Sequence, residues 1–546
     1  MNPNYIARTF LNFFLLSLTN VTLFAQPQWL RSFGGSDAEA AASIASDGVG
    51  GVYTIGTFSG NTVFGSYNMS SNGKGDVYIV KSNAANGNIL WIRQIGSAGE
   101  DNGYGIVCDK SGNIYCTGRF SGNVSFGSHV LTSSGSFDAF VARLNPSNGL
   151  VTWAVNSGGI GSDAGLAITA DTLGNIFTCG YFQIKGVFGS NTLTAVGQNL
   201  NAYVAKIDTS GGNTLWANGF GSLGYTYPLS ISCDAAGDVY LTGQFDGSML
   251  VGPATLTAVK YNDIFITKHN ALSGTAVWAT SMGGDGDDIG NAVTIGSDKQ
   301  VYFGGRFEQT LSSAQSTLVS KGNADAIIGK LDATTGTINW LKQFGGDSFE
   351  QVNGIGHDAS GNIYLTGQYN GICDFDVNLM MSNGNADVFL CRMNSSGKVT
   401  WDYSMGSPLA DIGSGIICDQ SNAIYCTGNF QSSMKAEAQS VSSSGSSDIF
   451  VIKIDRLSVG VDNISMEQEL LSVFPSPAHD ILRITGKKNA RLNFTVRISD
   501  ISGRTVLETV ETGAEAEINI SELQPAVYIL TYVSEGSTRT TRFIKQ

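Results

Sequence analysis

Short apolar runs, each bounded by Gly, Ser, Asn or Asp, recur along most of the chain, and their periodicity is not that of a helix. Between Gly103 and Asn156 the pattern resolves into four runs: Gly103–Cys108, Asn113–Phe120, Phe137–Leu144 and Leu150–Asn156. They are nearly continuous in apolar residues rather than strictly alternating, which predicts strands covered on both faces. Asp109-Lys110-Ser111-Gly112-Asn113, between the first two, has the residues of a tight hairpin turn. The local pattern is therefore that of antiparallel strands joined by short turns.

The four-run unit repeats. Tryptophan falls at Trp29, Trp91, Trp153, Trp216, Trp278, Trp340 and Trp401, with spacings of 62, 62, 63, 62, 62 and 61 residues. Five residues after each stands a glycine: Gly34, Gly96, Gly158, Gly221, Gly283, Gly345 and Gly406. A second ladder ends motifs such as IYCTG: Gly56, Gly118, Gly180, Gly243, Gly305, Gly367 and Gly428. A third opens the DAFVARL-like run: Asp76, Asp138, Asn201, Asp263, Asp325, Asp387 and Asp448. Four strands per repeat suit a propeller blade, whereas a solenoid turn needs far fewer residues. The first Trp run, Gln28–Phe33, has no three strands before it, and the last unit ends at Asp448–Ile454 with no Trp run after it. Pairing these two ends completes a seventh blade and removes two open sheet edges.

Segments such as GYGIVCDKSGNIYCTGRFSGNVSFGS and DAFVARLNPSNGLVTWAVNSGG resemble the bacterial seven-bladed β-propeller repeat family, over roughly Gln28 to Ile454. Units four to seven depart from the first three, which carry an FGS motif at Phe64, Phe126 and Phe188. The resemblance implies a fold and a surface location, not an activity.

After Asp455 the period stops. Residues 456–471 read as a linker, and 472–546 as a small antiparallel Ig-like sandwich of six or seven short strands. FPSPAHDILRI, ISDISGRTVLE, INISELQPAVYILTY and the basic end TRFIKQ resemble the type A C-terminal sorting domain of the Bacteroidota type IX secretion system. The matching positions are Pro475, Pro477, Asp480, Gly503, Arg504, Leu523, Tyr528 and Lys545; Gln524-Pro525-Ala526 stands where the family has a glycine before its Val-Tyr pair. The resemblance implies the secretion machinery as partner, passage across the outer membrane, removal of the domain, and release or attachment at the cell surface.

Residues 1–25 read as a signal peptide: Arg8 is the positive end, Phe10 to Phe24 the apolar stretch, and Ala25 precedes the cut. Polar Asn12, Thr19, Asn20 and Thr22 make this a poor membrane span, and no later segment is apolar over 18 consecutive residues. The expected layout is signal 1–25, propeller 26–455, linker 456–471 and sorting domain 472–546. The formal charge is −14. The tail from Ser472 holds nine Lys/Arg and eight Asp/Glu, so about −15 falls on the rest, which argues against a nucleic-acid partner.

Candidate chemistry is sparse. His129, His269, His357 and His479 fall at unrelated places, without metal-ligand spacing, and no nucleophile elbow or phosphate loop occurs. No cofactor is expected. Cys108 and Cys116, like Cys418 and Cys426, flank a hairpin and could face each other as a disulfide or serve as small core residues.

Ten residues after each Trp come Glu39, Asp101, Asp163, Thr226, Asp288, Glu350 and Asp411. The six acids read either as side chains satisfying turn amides once per blade, or as a ring around the channel that attracts cations such as Ca²⁺ or a basic partner. The segments between second and third strands, such as Ser121–Ser136 and Asp246–Tyr261, read as loops on the same face, with Tyr67, Phe126 and Tyr261 as aromatics for glycan or protein recognition. The expected function is an exported, monomeric binding or adhesion scaffold. Alternatives are a polysaccharide-acting enzyme using a carboxylate pair of the ring, and a structural envelope component.

Overall fold

The computed structural model describes residues 26–376, 378–455, 472–474, 478–485, 493–500, 504–512, 515–534 and 537–545. The segments read as signal and linker lie outside these, as do Pro475, Pro477 and Gly503 of the sorting motifs. The chain divides into two compact units, Met1–Leu457 and Ser458–Gln546.

The first unit is all β. Blade 1 comprises Glu39–Ser46, Gly51–Phe58, Asp76–Asn83 and Ile89–Ile95, hydrogen-bonded in that order. Blades 2 to 6 repeat it, starting at Asn102, Ala164, Thr226, Ile289 and Glu350. Blade 7 joins Ile412–Cys418, Ile424–Phe430 and Asp448–Asp455 to the N-terminal strand Gln26–Gly35, with Trp29 opposite Lys453 and Phe33 opposite Ile449. Each innermost strand contacts the next, and the last contacts the first, so the ring closes.

Second and third strands are covered on both faces. In Ile114–Phe120 and Asp138–Leu144 only the sixth residue, Arg119 or Arg143, escapes full burial. In the second strand that sixth position lies at the end where blades meet the channel mouth, which matters below. At the other end, cations at the sixth position of the third strand stand opposite the tryptophans: Lys81 faces Trp91, Arg143 faces Trp153 and Lys330 faces Trp340.

Each such Trp reaches the next blade. The indole N–H groups of Trp29, Trp91, Trp153, Trp216 and Trp278 donate to the Ala84, Pro146, Thr209, Ala271 and Ala333 carbonyls at 3.1–3.3 Å. Their rings lie on Gly87, Gly149, Gly212, Gly274 and Gly336, where a Cβ would fall 2.5–2.8 Å from indole carbons. Only glycine permits that approach, at φ values of 69–80°. Burying an aromatic this large is worth on the order of 2–3 kcal/mol, and here it is spent between blades. Blade 6 has one residue fewer before its Trp, and Trp340, which packs against its shortened turn, has an indole N–H with no acceptor.

The segments expected as loops between second and third strands are two-stranded hairpins in all seven blades, for example Asn123–Phe126 with His129–Thr132. Four-residue strands are too short for alternation to reveal. Several attach to the end of the preceding outer strand, as Gly34 to Val63 and Gly158 to Val187. Phe64, Phe126 and Phe188 are 0–1% exposed in the blade core, and Val251, Phe375 and Ala436 hold the same position, equally buried, in blades 4, 6 and 7.

In the second unit, Ser472–Phe474, Ile481–Thr485 and Glu515–Asn519 form one sheet, and Asn493–Asp500, Thr505–Thr512, Ala526–Ser534 and Ser537–Lys545 a second. Leu482, Ile484 and Ile518 from one sheet and Val496, Ile498, Leu530 and Phe543 from the other share one core.

Candidate functional site

The six acids of the ring do not line an open channel; they are 0–1% exposed in the junctions between blades. Each accepts the backbone N–H four residues earlier, at 2.5–3.1 Å: Gly35 to Glu39, Ser97 to Asp101, Gly159 to Asp163, Gly284 to Asp288, Gly346 to Glu350 and Ser407 to Asp411. The Asp members also accept an N–H from the end of the second strand, as Ser121 to Asp101 (3.0 Å) and Glu308 to Asp288 (3.1 Å). The acid thus clamps the turn between blades to the sheet it enters. Both carboxylate oxygens of Asp101, Asp163, Asp288 and Asp411 are thereby engaged by backbone amides, whereas Oε1 of Glu39 and of Glu350 is buried without a partner. Among the described residues no group of three or more His, Cys, Asp or Glu is arranged to hold a metal ion.

Each clamp is paired. The third-ladder Asp of the preceding blade accepts the N–H four residues before it, as Asn72 to Asp76 (3.1 Å) and Val259 to Asp263 (3.2 Å). It also faces the clamp across the glycine after Trp: a Cβ on Gly158 would lie 2.8 Å from both Asp138 and Asp163. Burial pushes Asp163, Glu39 and Glu350 up to about 7, Asp288 to about 8, and Asp411 and Asp263 to about 6, with the facing carboxylate adding to the rise in all but Asp263. Carboxyls so placed hold protons near neutrality. One junction differs. Between blades 3 and 4 the pair is Asn201 with Thr226, so both charges are absent together.

The channel itself is a cavity of about 230 Å³ lined by all seven innermost strands. Every one of these strands carries a β-bulge, and the bulged residues are Ala42, Tyr104, Leu166, Leu229, Asn291, Asn353 and Ser414. The wall is two-sided. Tyr104, Leu166 and Leu229 face it from blades 2 to 4, whereas the Asn291 and Asn353 amides on the other side donate to the next strand, to Val352 and Gly413 carbonyls at 2.9 Å.

At the mouth the second-strand sixth position brings an aromatic and charged cluster together. Arg119 lies 4.2 Å over the Phe137 ring and 6.0 Å from that of Tyr104. It donates to Glu100 Oε1 (2.8 Å), Asn102 Oδ1 (2.8 Å) and the Tyr181 hydroxyl (3.3 Å). Tyr181 meets Tyr227 edge-on at 5.4 Å, and Tyr227 stacks on Tyr225 at 6.2 Å and 22°. The row continues blade to blade. None of these residues stands out in the linear sequence, because the cluster draws on three blades; the register of the glycine ladder was the available signal.

The other sequence candidates are dispersed. Of the recognition aromatics, Phe126 is core, whereas Tyr67 and Tyr261 are 39% and 51% exposed. His269 is buried between Thr267 Oγ1 and the Gly274 carbonyl, its pKa pushed down by burial to about 4. His357 Nδ1 meets Thr294 Oγ1 at 3.0 Å. All eight cysteines are thiols. Cys108 stands opposite Ile114 and Cys116 opposite Ile106, and Cys418 and Cys426 are offset in the same way, so the expected facing pairs do not form.

In the C-terminal unit, Asp480 and Lys545 approach at 3.9 Å, beside a bridge between Ala478 and Lys545 that joins the first motif to the basic end. Arg504 Nε contacts Asp500 Oδ2 at 3.0 Å, the Tyr528 hydroxyl donates to the Gln524 carbonyl at 2.9 Å, and Leu523 packs on the core.

Comparison with known proteins assigns both units. The family described as secretion system C-terminal sorting domain matches residues 472–546, and the family described as beta-propeller repeat matches residues 90–123. Residues 472–546 thus form a type IX secretion sorting domain, and the first unit carries a match to the β-propeller repeat. The chain is therefore delivered to the cell surface or secreted. Among the described residues no helix is long and apolar enough to cross a membrane.

A curated relative, an uncharacterized WD repeat-containing protein of Acanthamoeba polyphaga mimivirus, is 21% identical over 481 residues, 71% of this chain and 34% of that protein. The chain thus spans about a third of that relative's length. Among solved structures, a europium-containing methanol dehydrogenase shares 10% identity at TM-score 0.36, covering 78% of this chain and 93% of that one. PorZ, a surface component of the type IX secretion system of Porphyromonas gingivalis, shares 10% identity at TM-score 0.14, covering 95% and 100%. Similarity at this level assigns neither activity nor ligand.

Proposed function

We propose that the protein is a binding or adhesion scaffold whose ligand, a glycan or a protein, is taken at the channel mouth. The observation that carries this reading is the Arg119 cluster, where aromatic faces and paired polar groups collect at one end of a scaffold otherwise committed to holding blades together. The signal-like segment 1–25 starts export, the sorting domain completes it, and the propeller works outside the cell as a monomer without a cofactor. An enzymatic carboxylate pair from the acidic ladder is disfavoured, since those groups are sealed from any substrate.

The test is retention of the purified full chain on immobilised extracellular polysaccharides and surface proteins. Specific retention that weakens in Arg119→Ala supports the reading. Retention unaffected by any mouth substitution contradicts it.

A further inference from the structure

Seven copies of one blade provide an internal standard against which departures stand out. They converge on the junction between blades 3 and 4. Asn201 and Thr226 replace the carboxyl pair there. The spacing from second-ladder glycine to third-ladder residue is 21 from Gly180 to Asn201, against 20 from Gly118 to Asp138, so the loop before Asn201 is one residue longer. Asn199 Nδ2 ties that loop to the Leu223 carbonyl at 2.8 Å.

The surface changes at the same place. Seven residues after Trp216 stands Leu223, 73% exposed, where other junctions have Ser36, Ala98, Asp285, Asp347 and Pro408; the paired junction between blades 2 and 3 has an equally exposed apolar residue there, Ile160. Nine residues after Trp216 stands Tyr225, 46% exposed and stacked on Tyr227. There the blade 5–6 junction has the half-buried Phe349, 5.3 Å beneath Arg306, and the others have Ala38, Glu100, Ser162, Asp287 and Ala410. Opposite Tyr227 across the ladder, the Gln244 Oε1 acceptor is buried without a partner. Tyr227 is half-buried and meets Tyr181 of blade 3, but exposed Tyr225 costs solubility and buries little area for the fold.

We infer that the blade 3–blade 4 junction is the ligand subsite and that it takes a neutral oligosaccharide, with a sugar ring against the Tyr225–Tyr227 platform. This rests on the proposed binding role of the mouth. A pyranose offers an apolar face to an aromatic ring and hydroxyl pairs to planar side chains at its edge. Both are present: the tyrosines, and beside them Arg119, which donates to the hydroxyl of the Tyr181 that meets Tyr227, and Gln244, opposite Tyr227 across the ladder. Neutrality follows from charge. Arg119 is balanced by Glu100 at 2.8 Å, and the chain carries −14, so nothing local would hold an anionic sugar. A protein partner of standard size would extend over the rest of the face, where Asp285, Asp287, Asp347 and Lys321 break the apolar surface.

The experiment is isothermal titration of the purified full chain with soluble neutral oligosaccharides of the cello-, manno-, xylo- and laminari-series. Wild type, Tyr225→Ala, Tyr227→Ala and, across the mouth, Phe349→Ala are compared, with Tm as the folding check. Tyr225 is exposed, so its variant keeps the fold even if Tyr227→Ala does not. The expected result is binding of at least one series, weakened about tenfold by Tyr225→Ala and unchanged by Phe349→Ala. If Phe349→Ala weakens binding and Tyr225→Ala does not, the subsite is wrong while mouth binding stands. If only acidic oligosaccharides bind, or only a protein or a second copy does, the sugar class is wrong. If binding survives every mouth variant, both proposals fall.

Discussion

Six blade junctions hold a buried carboxyl pair, and the seventh, between blades 3 and 4, holds Asn201 with Thr226. The contrast separates two uses of the same position. Where the pair is present, the polar chemistry is absorbed by the fold: amides are satisfied and turns are clamped. Where it is absent, Leu223 and Tyr225 are exposed together above the junction, and the loop lengthens. Chemistry that repeats with the blades serves the ring, and chemistry that breaks the repeat is free to serve a ligand.

The largest expected effect breaks a paired junction. Asp288→Ala leaves the buried Gly284 and Glu308 amides without acceptors and should cost about 2–4 kcal/mol, read by urea unfolding. Thr226→Ala removes a hydroxyl with no partner and should cost less than about 1 kcal/mol. Equal costs would erase the distinction between the junctions.

The pH dependence comes next. The paired carboxyls have folded-state pKa values above those of the unfolded chain, so the folded protein binds more protons in the window between about pH 4 and pH 8. Stability should therefore fall as pH rises through that window, with Tm higher at about pH 5 than at about pH 8. Two groups of residues act the other way. His269, held down to about 4, and His357, also lowered by burial, gain stability as pH rises, but they are two groups against six junctions. At Asp47, Asp298 and Asp358 burial is outweighed by hydrogen bonds, the pKa is lowered, and their contribution is lost only below about pH 4.

Transplanting the neutral pair sharpens the point. Asp263→Asn with Asp288→Thr should shrink the Tm difference between those two pH values, by an amount on the order of 1 kcal/mol of stability at the alkaline end. The smallest effect is on the cysteines. Denatured, unreduced protein should titrate as eight thiols, and reductant should leave Tm unchanged.

The blades, their closure and the local role of the acids were legible because each rests on residues repeated at a fixed period. The hairpins were hidden, since four alternating residues such as Asn123–Phe126 look like a polar loop with one stray aromatic. The cysteine register was hidden as well: the Asp109–Asn113 turn sets Cys108 against Ile114, two residues short of Cys116. The carboxyl pairing was written in the chain, with Asp76 and Asp101, or Asp138 and Asp163, each 25 residues apart, and Asn201 and Thr226 at the same interval. Only the folded ring shows that these positions touch. The mouth cluster joins Arg119 and Tyr181 of second strands to Tyr104 and Tyr227 of first strands in three blades and has no linear motif at all.

Hydrogen–deuterium exchange of the full chain, with and without a saturating oligosaccharide from the panel, locates the bound ligand on the ring of blades. New protection is expected only at residues 195–200 and 222–228, with the equivalent segment 284–290 of a paired junction unchanged. Protection spread evenly over the seven junctions, or centred on 284–290, would contradict a subsite between blades 3 and 4.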